Sequence, residues 1–152
     1  MITITIERQS VYKAVQQNVF FAAELISDIE TRYKVQIGEE KSEMIHGVIN
    51  AAVAELQVLL RPWTMHSVNT DQSYKFDTAS DIAIQIGDLS DRKDGITPML
   101  TTLMHSYLQN RSTALYLSMV AQPETAGAYQ SQAGVAENAI YNTLNIKNKP
   151  IV

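Results

Sequence analysis

The chain has 152 residues, close to the size of one domain, and its 45% apolar content is enough to bury a core without disulfide or metal. It has no cysteine, which excludes disulfides, thiolate zinc sites, iron–sulfur clusters and a cysteine nucleophile together. The formal charge of −4, from 12 basic and 16 acidic residues, argues against broad nucleic-acid binding through a clustered basic surface.

The first residues alternate. Ile2, Ile4 and Ile6 are separated by Thr3 and Thr5, and period two with β-branched residues predicts a short strand. That pattern is not a signal peptide. Ser10 is a candidate helix cap. Beyond it Tyr12, Val15, Val19, Ala22, Ile26, Ile29 and Tyr33 form one apolar stripe, predicting a helix of about six turns. Phe20, Phe21 and Leu25 widen the stripe, so this helix is expected to pack on more than one neighbour.

Gly38 interrupts the pattern, and Glu39, Glu40 and Glu43 suit the positive end of a new helix. Ile45, Val48, Ile49, Ala52, Leu56 and Leu59 form its stripe, and Pro62 stops it. From residue 67 to 87 the period changes to two. Tyr74 and Phe76 alternate within a polar run, and Ile82, Ile84 and Ile86 alternate again, so a β-hairpin or strand pair is expected there. A charged loop ending in a turn at Asp94-Gly95 leads to a third helix. It carries Ile96, Leu100, Leu103, Met104, Tyr107, Leu108 and on to Met119, and should be the most buried element. Pro123 suits the first turn of a fourth helix bearing Ala126, Tyr129, Ala133, Ala136, Ile140 and Leu144. Residues 145–152 form a short tail with Lys147, Lys149 and Ile151. With no repeat, linker or run of about 18 apolar residues, the expected fold is mainly α (α+β). It is a single domain, 1–152, of four amphipathic helices in a bundle-like core with a small antiparallel hairpin or sheet.

Chemistry is sparse. His46, His66 and His105 lack His-x-x-x-His or Glu-x-x-His spacing, and a lone helical histidine is more often a hydrogen-bonded structural residue than a ligand. Asp88, Asp91 and Asp94 before Gly95 do not match the EF-hand spacing and read as a solvated loop. Glu39, Glu40, Lys41 and Glu43 read as a solvated helix start. Asn110-Arg111-Ser112 matches a glycosylation pattern but falls inside a helix. No phosphate loop, dinucleotide fingerprint or nucleophile elbow is present. The expectation is no catalytic residue, no cofactor and no metal. Trp63, the only tryptophan, is either a core plug beneath the helix end or an interface anchor.

Four segments together carry a resemblance: ITITIERQSVYKAV; the helix from Glu43 to Pro62 with its Leu-Leu-Arg-Pro close; IAIQIGDLSDRKDGITPMLTTLMHSYLQNRSTALYLSMV; and PETAGAYQSQAGVAENAIYNTL with a Lys-Pro tail. In this order they resemble small neck or head–tail connector proteins of tailed phages and prophages of Bacteroidetes-type bacteria. The resemblance implies a non-enzymatic subunit of a virion neck, connector or tail-completion ring. Such a subunit is made in the host bacterial cytoplasm and joins copies of itself and neighbouring portal, neck or tail proteins. The resemblance implies no membrane and no sequence-specific nucleic acid as partners, and a ring lumen open to the passage of DNA. The residues expected at its interfaces are Ile2, Ile4, Ile6, Trp63, Tyr74, Phe76 and Ile151. Two rivals remain open: a host-side helical interaction adaptor, and an enzyme assembled from His66, His105 and the Asp88–Asp94 loop.

Overall fold

The computed structural model describes residues 2–36, 41–63, 81–87 and 95–145. They form β1 (Ile2–Ile6), α1 (Arg8–Glu24), α2 (Ile29–Val35), α3 (Ser42–Leu59) followed by a 3-10 turn at Arg61–Trp63, β2 (Ile82–Ile86), α4 (Ile96–Met119) and α5 (Pro123–Asn145). The fold is mostly helical with a small antiparallel sheet, and it has five α-helices among the described residues where four were expected.

The extra helix comes from a break in the first stripe. α1 stops at Glu24, and a new helix starts after Asp28, whose backbone is extended. The Asp28 carboxylate accepts the Thr31 hydroxyl at 2.6 Å, and that bond is the main cause of its lowered pKa. Arg32 then reaches back, donating to the Ile26 carbonyl at 3.0 and 2.7 Å, which satisfies an acceptor in the link between α1 and α2. A Ser-Asp pair within an apolar stripe is a helix-start signal; the stripe of spacings 3 and 4 runs across it and conceals the break.

The start of α1 also differs from expectation. Glu7 holds the cap position without a side-chain bond, and the first amide, that of Arg8, donates to Asp81 Oδ1 at 3.3 Å. A carboxylate 73 positions away thus takes the place of the expected Ser10 cap. Asp81 lies directly before β2, so the same contact seats the sheet on the helix.

β2 pairs with β1, antiparallel, with Ile2 opposite Ile86, Ile4 opposite Ile84 and Ile6 opposite Ile82. The hairpin expected at 67–87 is therefore corrected in part: its second strand exists, but its partner among the described residues is the N-terminal strand. Tyr74 and Phe76 lie outside the described residues. The pairing follows from the two isoleucine triplets, because this register puts Ile4, Ile6, Ile82, Ile84 and Ile86 on one buried face.

α4 occupies the centre, touching α1, α3, α5 and β1. Gly95, at φ 80°, makes the turn into it, a left-handed conformation that glycine adopts without steric cost. Leu100, Met104, Leu108, Tyr116 and Leu117 on α4 are all fully buried. The Tyr116 hydroxyl donates to the Val35 carbonyl at 2.7 Å, tying the end of α2 to the core. Ala126, Ala133 and Ala136 of α5 are buried, small side chains that let α5 lie close to its neighbour.

The α4–α5 turn has a paired C-cap. Gln122 N donates to the Leu117 carbonyl at 2.8 Å and Ala121 N to Ser118 at 3.3 Å, with Ala121 at φ 60°. This position normally holds glycine, since a Cβ crowds the backbone there. Ala121→Gly should therefore stabilise the fold by about 0.5–1 kcal/mol, read as a higher urea midpoint at unchanged slope.

Candidate interaction surfaces

Among the described residues, the end of α1 and the exposed side of α2 display five large apolar side chains to solvent. Phe20, Phe21, Leu25, Ile29 and Tyr33 are 52%, 55%, 85%, 63% and 70% exposed. Phe20 and Phe21 meet edge to face at 6.0 Å, and α1 and α2 touch. A large side chain carries about 150–250 Å², so the five display roughly 600 Å², at the upper limit for a typical monomer and most of one side of a specific interface. α1 does pack on more than one neighbour, touching α2, α3 and α4, but Phe20, Phe21 and Leu25 are not the residues that make it do so: they face outward.

A second feature is an open groove of about 490 Å³ between α3 and α5, floored by α4. Arg111 spans it. Its Nε and Nη2 donate to the two Glu55 oxygens at 2.6 and 3.0 Å, and Nη1 donates to Gln130 Oε1. The Glu55 bond raises the guanidinium pKa further. A lone cation on a broadly apolar helix requires a counter-charge, and α3 supplies it; that is the signal by which Arg111 could have been singled out. One turn from Arg111, burial, followed by the negative charge of Glu55, pushes the Tyr107 hydroxyl up to about 12. Burial and then Glu137 raise Tyr141 as well. Val58 and Leu59 supply the apolar wall.

The chain matches no family model, no curated protein and no solved structure.

The expected interface residues divide. Ile4 and Ile6 point into the core, and Ile2 packs partly against it, so the fold itself takes up these side chains. Trp63 is half-buried. Its ring lies 5.3 Å from Tyr141, and its carbonyl accepts Gly87 N, so it joins the 3-10 turn to α5 and to the end of β2. Tyr74, Phe76 and Ile151 lie outside the described residues, as do His66, Asp88, Asp91, Asp94, Glu39 and Glu40.

His46 is buried and stacks on Tyr12 at 4.8 Å. His105 Nε2 and Ser10 Oγ share a hydrogen bond of 2.9 Å between α4 and α1. Both histidines therefore join elements of the fold, which composition and spacing did not reveal. Among the described residues no three His, Asp or Glu side chains converge on a metal position. Asn110 is buried, its amide donating to the Ser106 carbonyl at 2.9 Å, so it does not present itself for glycosylation. No helix among the described residues is long and apolar enough to cross a membrane.

Burial lowers the His105 pKa below its usual 6.5. The unfolded chain then binds the proton more readily than the folded one. This contribution to stability is present above pH 6.5 and is lost as the pH falls from that value through the lower folded one. His105→Gln should flatten the acid-side slope of stability against pH, checked by urea melts between pH 5 and pH 8.

Proposed function

We infer that the chain is a non-enzymatic structural subunit of a tailed-phage virion, placed in a neck, head–tail connector or tail-completion ring. The exposed α1–α2 face carries this reading. An apolar surface of roughly 600 Å², at the top of the range for a monomer, suits a subunit that assembles through it. The order of sequence segments from Ile2 to the Lys-Pro tail supplies the resemblance that directs it to the virion. A closed ring joins one patch on each subunit to a different patch on the next. The α1–α2 face gives the first, and the sheet, which has two strands among the described residues, gives edge backbone groups for pairing.

A host-side helical adaptor would use the same face, and stoichiometry separates the two readings. Native mass spectrometry of the full chain at rising concentration should yield one closed multimer of at least three copies, with no ladder of larger species. A monomer at every concentration that binds a single host protein would favour the adaptor.

A further inference from the structure

We propose that the groove between α3 and α5 receives residues 146–152 of a second copy of the chain. The proposal rests on the ring reading and supplies the pair of unlike patches that a ring requires. Three observations lead to it, the first being the groove's charge. Two carboxylates, Glu55 and Glu137, face one guanidinium, and Arg111 is already held by Glu55 and Gln130. Among the described residues no cation forms an ion pair with Glu137. An acidic side chain beside the apolar wall of Val58 and Leu59 suits a ligand with a cationic head on an apolar stem.

The second observation is the composition of the segment after α5. Ile146-Lys147-Asn148-Lys149-Pro150-Ile151-Val152 carries two lysines, no acidic side chain and four apolar or proline residues. Its lysines match Glu137, and its isoleucines and valine match the apolar wall. Proline keeps its neighbours extended, the form in which a short segment lies along a groove.

The third is direction. Glu137 lies eight residues before Asn145, about 12 Å back along the α5 axis. To reach its own groove the segment must reverse at the helix end, whereas a neighbour stacked beyond that end meets it directly.

The test is a charge swap in the full chain, followed by sedimentation velocity. One variant carries Glu137→Lys; the other carries Lys147→Glu with Lys149→Glu. Each alone should associate about ten-fold more weakly than the unaltered chain, because like charges then meet at the contact. Mixed in equal amounts they should recover association as alternating chains, since each chain's altered part meets its complement on the other. These are closed rings where the copy number is even, and alternating pairs and chains where it is odd. Circular dichroism checks that helix content is unchanged, and Glu137→Gln, with a smaller loss of association, replaces the lysine variant if that one does not fold. If the unaltered chain assembles and both variants assemble equally well, the groove is not the contact, although the ring stands. Weakened variants that do not recover on mixing also overturn the proposal, since each tail then binds its own groove or another site. An unaltered chain that is monomeric throughout removes the ring itself and this contact with it.

Discussion

Leu108→Ala should lower the stability of the fold by about 2–5 kcal/mol, among the largest effects of any single truncation in the chain. Leu108 is fully buried on the central helix, and the helices and strand around it hold the site open after truncation. The cost is then the lost transfer energy of the side chain plus that of the cavity left behind. Leu103, five positions earlier, packs only partly against the core, and so does Ile26. Alanine at either should cost less than half as much. Urea denaturation of the three variants gives the comparison directly, and equal losses at Leu103 and Leu108 would show that the burial pattern along α4 is misassigned.

The second large effect concerns assembly and leaves the fold intact. Phe21→Ser combined with Leu25→Ser should weaken self-association about 100-fold, because each residue contributes about 1.5 kcal/mol or more when its exposed area is covered by a partner. Both side chains are already in solvent, so the urea midpoint of the monomer should hardly move. That separation of association from stability is the signature of an interface residue, and sedimentation of the double variant measures it. A loss of stability with unchanged association would assign the pair to the core after all.

The elements were legible wherever one local rule governed them. The isoleucine alternation located β1 and β2, Pro62 closed α3, Gly95 preceded α4, and Pro123 opened α5. What stayed hidden depended on contacts between distant positions. Period two identifies a strand but not its partner, so the pairing of Ile2 with Ile86 could not be read from either segment. The cap of α1 comes from Asp81, far along the chain, and no local motif encodes it.

The surfaces were less legible than the elements. An apolar stripe shows which residues share a side of a helix, but not whether another helix covers that side. Phe20, Phe21, Leu25, Ile29 and Tyr33 have the pattern of core residues and lie outside because the chain turns at Asp28 and α2 follows another course. The reverse holds for Ile4 and Ile6, interface candidates by pattern whose side chains the core takes. Arg111 drew notice only as part of a glycosylation pattern, and its partner Glu55 lies 56 positions away.

The central claim is that the α1–α2 face joins copies of this chain in a virion ring. An electron cryomicroscopy reconstruction of the tailed particles from cells that carry the gene tests it most directly, with mass spectrometry of the same particles. The chain should appear in the neck or tail as a symmetric ring, with Phe21 and Leu25 buried against the adjoining subunit. Purified particles that lack the chain, or a ring in which Phe21 and Leu25 face solvent, would contradict it.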